Sequence, residues 1–194
     1  MSAQPKLRLT PQEYLAIERQ AEFKNEYYQG EMFAMAGTSE PHAVVASNIN
    51  RALGNQLAHR DCLVYNGDLR VKVSPLGKYT YPDVMVSCGK RIFDDEQHDT
   101  LVNPVLIVEI LSPSTEAYDR GAKFDHYQYI KSLTEYILVA QDACRIEQFV
   151  RQGDGTWTYR AFKSREDVVK LESIGCELAL QEIYFKVPGL PPAE

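Results

Sequence analysis

Apolar runs and the residues that punctuate them divide this chain into a clear order of elements. Thr10-Pro11-Gln12-Glu13 has the composition of a capping box with proline at the first helical position. A short helix is predicted from there to about Ala21, with Tyr14, Leu15 and Ile17 facing inward. Residues 24–35 read as a hairpin turning at Gln29-Gly30, followed by a loop at Gly37-Thr38-Ser39. Ser39-Glu40-Pro41 then opens a longer helix to about His59, with Val45, Ile49, Ala52, Leu53 and Leu57 as its apolar stripe. His42 lies in its first turn, where a lone histidine is by default a packing or capping residue. Asn48 and Asn50 are polar interruptions to which the pattern assigns no role.

Three strands follow. Residues 62–65 form a short one, and 68–73 alternate Leu69, Val71 and Val73 with Arg70 and Lys72. The third, 79–86, contains Pro82, which implies a sheet edge or a bulge because proline cannot donate to a ladder. Asp83 comes next, a carboxylate in an otherwise apolar and aromatic strand. Residues 90–103 read as a solvated loop. Their acidic cluster (Asp94, Asp95, Glu96, Asp99) lacks the alternating ligands and central glycine of a calcium loop.

The run Val105, Leu106, Ile107, Val108, Ile110, Leu111 is apolar on both alternating faces, the pattern of a central strand covered above and below. Glu109 stands inside it. An ionised carboxylate buried without a partner costs several kcal/mol, so its presence calls for a cation, a positive side chain or a shifted pKa. After the capping-rich turn Ser112-Pro113-Ser114-Thr115, a helix is predicted over 119–131 with Arg120, Lys123, Tyr127 and Ile130 on one face. Phe124 lies beside that stripe as an anchor to the sheet. A helix leaving the end of a strand folds back over it, which brings the Lys123 ammonium toward Glu109. Read alone, Lys123 and Arg120 fit an exposed amphipathic face with solvated charges better than a site. Residues 135–140 form a second buried strand, and 144–150 pair with 156–162 around the turn at 151–155. Residues 176–187 supply a last short strand and a helical turn, and 188–194 a frayed tail.

With 194 residues, the chain suits one domain, 1–194, with a core at about 9–187. No run reaches the roughly 18 apolar residues of a membrane span, and MSAQPKLRLTPQEY has no apolar segment of a signal peptide. A cytoplasmic protein without membrane contact is expected. Cys62, Cys88, Cys144 and Cys176 are widely spaced with no local histidine partner, so they read as reduced, packed thiols rather than a zinc site. The net charge of −6 does not advertise nucleic-acid binding. Residues 68–91 nevertheless set Arg70, Lys72, Lys78, Lys90 and Arg91 against Asp68 and Asp83, either a basic edge able to meet phosphates or a row of solvated strand residues.

Two carboxylates on adjacent strands, Asp83 and Glu109, can hold one hard divalent cation while water and a phosphate fill its other positions, which suits Mg²⁺. A nearby ammonium, Lys123, would stabilise charge on phosphorus or orient water. Pro82-Asp83, then Glu109 in an apolar strand, in the order helix, strand meander, helix, strand, resembles the PD-(D/E)XK nuclease superfamily. More narrowly, YPDVMV, VEILSPSTEAYDRGAKFDHY and EYILV resemble the Uma2 family of restriction-endonuclease-like proteins, over about 9–187.

The resemblance implies an α/β fold (an α+β mixed sheet) with a restriction endonuclease-like core, an N-terminal helix and hairpin, and a C-terminal strand extension. It implies a Mg²⁺-dependent endonuclease acting on DNA, with Mn²⁺ as a substitute, and a homodimer by analogy with enzymes that cut two strands. Asp83 and Glu109 become the metal ligands. The superfamily's lysine normally follows the glutamate by two residues, where this chain has Leu111; in Uma2-like proteins the next helix supplies it, here Lys123. The family pattern also includes Gly30-Glu31 and His42, and Arg120 and Tyr127 would orient Lys123 or touch a phosphate. A competing expectation is a nuclease fold that works as a nucleic-acid-binding or regulatory module, and a third is that Glu109 and Lys123 form a structural ion pair.

Overall fold

Thr10 caps the first helix as its sequence requires: its hydroxyl accepts from the Glu13 N–H, and the Glu13 carboxylate accepts from the Thr10 N–H. The structure, a computed structural model, describes residues 8–190, so 1–7 and the last four residues of the expected tail lie outside the described residues. The helix α1 (Pro11–Glu18) buries Tyr14 and Leu15, but Ile17 is exposed, contrary to the amphipathic reading. Glu18 takes the inward position instead, because its carboxylate accepts from the Asn25 N–H and the Tyr81 hydroxyl. β1 (Asn25–Tyr28) and β2 (Glu31–Ala34) make the hairpin, with both turn residues left-handed at φ 51° (Gln29) and 87° (Gly30). Two positive φ values are what a tight turn matched to strand twist needs.

α2 (Glu40–Leu57) begins at Ser39, whose hydroxyl accepts from the His42 N–H and donates to Gln141. Asn48 has a structural role: buried on this helix, its amide donates to the carbonyls of Ile183 and Phe185. The strands β3 (Cys62–Asn66), β4 (Arg70–Val73), β5 (Lys78–Thr80) and β6 (Val84–Cys88) follow. The single strand expected over 79–86 is therefore two. β5 and β6 belong to different sheets, and Tyr81-Pro82-Asp83 carry the chain from one to the other. Proline ends a ladder here rather than bulging within one.

The remaining strands are β7 (Thr100–Leu101), β8 (Leu106–Leu111), β9 (Glu135–Ala140), β10 (Ile146–Arg151), β11 (Trp157–Phe162), β12 (Val168–Leu171) and β13 (Cys176–Ala179). β12, which its alternating sequence did not flag, pairs with β13 as a ribbon. The larger sheet runs β11-β10-β9-β8-β6-β3, with β8 and β9 parallel and buried at every residue. The smaller runs β2-β1-β5-β4-β7. Between β8 and β9 the chain forms α3 (Glu116–Tyr118), a π-helical turn (Asp119–Lys123) and α4 (Phe124–Tyr127), so the helical stretch starts and ends earlier than 119–131. α5 (Leu180–Ile183) follows β13.

The larger sheet separates two apolar layers. On one face Val84, Val108, Ile110 and Ile137 meet α2, the β12–β13 ribbon and α5. On the other, Met85, Ile107, Leu111 and Tyr136 meet Tyr127 of α4 together with Val71, Val73 and Leu101 of the smaller sheet. Phe124 anchors the helix as its position suggested, stacking on Tyr136 with ring centroids 5.0 Å apart.

Three surface expectations need correction. Cys62 and Cys88 are not free thiols: they stand directly opposite in the β3–β6 pair and form a disulfide, while Cys144 and Cys176 are free. Sequence spacing carries no information on such cross-strand register. The basic stretch over 68–91 is not a row of exposed cations, because Arg70 and Lys78 are buried and Lys72 pairs with Asp94 at 2.5 Å. The acidic loop is not simply solvated either: Asp95 and Asp99 accept from Arg19 at 2.6 and 2.8 Å, and Asp99 also pairs with Arg70. Among the described residues no helix is long and apolar enough to cross a membrane.

Burial pushes the Asp99 carboxyl up, but the hydrogen bonds from Arg19 and Arg70 outweigh it and hold the group well below the usual carboxylate range. A depressed folded pKa contributes stability that is fully present above the unfolded value, about 3.9, and is lost as pH falls through the folded one. Urea midpoints are therefore expected to fall on acidification below about pH 5, and to fall less in Asp99→Asn.

Candidate active site

Strand register brings the two carboxylates together. Val84 of β6 pairs antiparallel with Val108 of β8, so one step outward Asp83 stands opposite Glu109. Alternation gives Glu109 the face of Met85 and Ile107, the face that the π-turn covers, while Asp83, just before β6, reaches the Ile110 N–H and His42 of α2. In a π-turn the backbone bonds from i to i+5 and the helix widens. Asp119, Lys123 and Tyr127, spaced by four residues, are all buried against the sheet there.

The Lys123 ammonium lies 2.9 Å from Glu109 Oε1, 3.4 Å from Asp119 Oδ1 and 3.6 Å from Glu26 Oε1. The Tyr127 hydroxyl donates to the same Glu109 oxygen at 2.7 Å. Asp83 is fixed through Oδ2, which accepts from the Ile110 N–H at 2.7 Å and lies 3.3 Å from His42 Nε2. Glu26 is held by the Thr80 and Tyr118 hydroxyls and faces a second ammonium, Lys78, at 3.9 Å.

Burial pushes the Glu109 carboxyl up to about 8; Lys123 opposes this, and the neighbouring Asp83 and Asp119 carboxylates add to it. Burial likewise raises Asp119. For Lys123, burial favours the neutral amine, but Glu109, Tyr127, Glu26 and Asp119 together keep the ammonium charged well above its usual range.

This donor set suits one small divalent cation. Glu26, Glu109 and Asp119 lie round two ammonium groups (Lys78, Lys123) and Asp83 neighbours Glu109, so the four carboxylates leave two negative charges in excess when all are ionised. Asp83 makes both of its contacts through Oδ2 and Glu109 both of its through Oε1, so Oδ1 and Oε2 lie outside those contacts. Among the described residues no three of His, Cys, Asp and Glu stand close enough to cage a metal on their own. A site of one or two carboxylates completed by water is the mode Mg²⁺ favours.

Of the residues singled out in the sequence, Asp83, Glu109, Lys123, Tyr127 and His42 are brought together. Arg120 is not on the Lys123 face. It bonds Glu116 at 2.8 Å and also pairs with Glu147, because the wider π-turn rotates it away. Glu31 sits half-buried on β2, opposite Tyr28, whereas the hairpin carboxylate that reaches Lys123 is Glu26. Glu26, Asp119 and Lys78 were missed. The available signal for Glu26 was its alternation with buried Tyr27, which sets it on the opposite face of β1.

The profile of the Uma2 family, described as "Putative restriction endonuclease", matches residues 11–181 of this chain. Two proteins of Synechocystis sp. (strain ATCC 27184 / PCC 6803 / Kazusa) are similar to it. "Uncharacterized protein slr1290" is 37% identical over 177 residues, covering 91% of this chain and 92% of its own. "Uncharacterized protein sll1609" is 37% identical over 149 residues, covering 77% of this chain and 84% of its own. Among solved structures, "a putative nuclease belonging to DUF820" from Anabaena variabilis ATCC 29413 superposes with a TM-score of 0.74 at 19% identity, over 91% of this chain and 97% of that one. That likeness shows the fold alone, a mixed α/β one.

Proposed function

The chain belongs to the Uma2 family, and from that premise we propose that it is a Mg²⁺-dependent endonuclease hydrolysing DNA phosphodiester bonds. Asp83 and Glu109 are the metal ligands and Lys123 is the catalytic lysine. The observation that carries this reading is the placement of Asp83, one residue before β6, beside Glu109 of β8, with an ammonium 2.9 Å from Glu109.

Bound there, Mg²⁺ supplies Lewis-acid polarisation of a phosphoryl oxygen and eases ionisation of water. The Ile110 N–H and His42 aim Asp83, and Tyr127 with Lys123 aims Glu109. Lys123, charged and desolvated, stabilises the negative charge that grows on the phosphoryl oxygens; a fixed cation in a dry site does this without reorganisation. A homodimer would present two such sites to the two strands of a duplex. Purified protein is expected to nick or cut plasmid and oligonucleotide DNA with Mg²⁺ or Mn²⁺ and not with EDTA. If duplex, single-stranded and branched DNA all stay intact with both metals, the proposal fails.

One observation favours a second reading, a nucleic-acid-binding or regulatory module built on the same fold. Lys123 already compensates Glu109 from within the chain, so the buried pair calls for no ion of its own. A pure binder would shift DNA in a gel equally with Mg²⁺ and with EDTA.

A further inference from the structure

Lys78 is only 1% exposed and lies outside the roles given to Asp83, Glu109 and Lys123. A buried ammonium is costly unless it is paired and hydrogen-bonded, so its neighbours define what it does. β1 and β5 pair at Tyr27 and Tyr79, which sets Tyr28 opposite Lys78 and Glu26 opposite Thr80. The Lys78 ammonium donates to the Tyr118 hydroxyl, lies 3.1 Å from His126 Nδ1 and 3.9 Å from Glu26 Oε2. On the other side of Glu26, Oε1 lies 3.6 Å from the Lys123 ammonium. Glu26 thus stands between two ammonium groups, one oxygen toward each.

We propose that Lys78 is a positioning residue for Lys123: by engaging Glu26 and repelling the second ammonium, it keeps Lys123 turned toward Glu109. Lys123 has two buried carboxylates within reach, Glu109 at 2.9 Å and Glu26 at 3.6 Å. Coulomb attraction in a poorly solvated site falls slowly with distance, so the balance between them depends on what else neutralises Glu26. Without Lys78, Glu26 has Lys123 as its ammonium partner and draws it off the sheet. Lys78 itself touches neither carboxylate assigned to the metal. The catalytic consequence rests on the nuclease reading above; the geometric one does not.

The test is a double-mutant cycle on the full chain: Lys78→Met, Glu26→Gln and the two combined, each followed by crystal structure and by DNA cleavage in Mg²⁺. Lys78→Gln, which retains a donor for Tyr118, stands in if the methionine variant does not fold. In either single Lys78 variant the Lys123–Glu109 contact is expected to lengthen beyond about 3.5 Å, the limit of a hydrogen bond, as Lys123 closes on Glu26. Turnover is expected to fall about 10–100-fold with KM unchanged, the scale of a displaced catalytic group. In the Glu26→Gln background the same Lys78 change is expected to leave both the contact and the turnover unaltered, since the effect passes through Glu26. Lys123 remaining on Glu109 in the Lys78 variants overturns the proposal, and so does an equal loss of turnover with and without Glu26. If the parent protein cuts no DNA, the nuclease reading fails on its own, and the position of Lys123 in the variant structures still decides this one.

Discussion

Asp83→Asn is expected to lower DNA cleavage about 10³-fold, the rate equivalent of the several kcal/mol that a metal's polarisation supplies. Asparagine keeps an oxygen to accept the Ile110 N–H, so the β6–β8 edge stays satisfied. It removes the negative charge that would hold the cation. In metal-free protein the stability of this variant should be unchanged or raised, because one of four crowded carboxylates is gone. Asp83→Ala is the poorer probe: it strands the Ile110 N–H at a cost of about 1–3 kcal/mol. Single-turnover rates and urea midpoints, measured side by side, separate lost chemistry from lost folding. Full cleavage by Asp83→Asn would remove Asp83 from the mechanism.

The second large effect is on stability. Lys123→Met leaves Glu109 buried with no ammonium beside it, and breaking a buried ion pair from one side costs about 3–5 kcal/mol. Glu109 and Lys123 are both nearly inaccessible to solvent, so water does little to soften that loss. Replacing both, as Glu109→Leu with Lys123→Met, is expected to restore the urea midpoint or exceed it, since a buried pair exchanged for apolar groups is often neutral or stabilising by about 1–4 kcal/mol. The two readings of the pair then divide clearly. A purely structural bridge loses stability when Glu109 or Lys123 is changed alone and gains nothing from a change at Asp83. An anionic pocket awaiting a cation gains from the loss of one carboxylate, so Asp83→Asn and Lys123→Met should move the midpoint in opposite directions.

Much of this architecture is legible in the sequence where one local cause acts. The Thr10 capping box, the Gln29-Gly30 turn and the runs of β8 and β9, apolar on both faces apart from Glu109 and Glu135, each form as written, because capping, positive φ and two-sided burial are properties of a few adjacent residues. Asp83 and Glu109 were visible as charges in apolar surroundings. What could not be read depends on partners far along the chain. Residues 79–86 look like one strand, and only the presence of two sheets makes Pro82 a crossing point. Glu26 and Lys78 look like exposed charges on a hairpin and a basic strand until β1 and β5 pair and bring them beneath the π-turn. The π-turn itself has no sequence mark. It decides that Lys123 and Tyr127 reach Glu109 while Arg120, expected on the same face, turns to Glu116 and Glu147. The Cys62–Cys88 disulfide belongs with these: two cysteines far apart in sequence become cross-strand neighbours.

The direct measurement is anomalous diffraction from crystals grown in Mn²⁺. A metal held as proposed gives a peak about 2 Å from one oxygen of Asp83 and one of Glu109, the distance of a hard cation from its ligands. Crystals of Asp83→Asn grown in the same way should show none there. Fully ordered Asp83 and Glu109 side chains with Lys123 still on Glu109 and no anomalous signal between them, at a Mn²⁺ concentration that supports cleavage, would contradict the assignment of these two carboxylates to the metal.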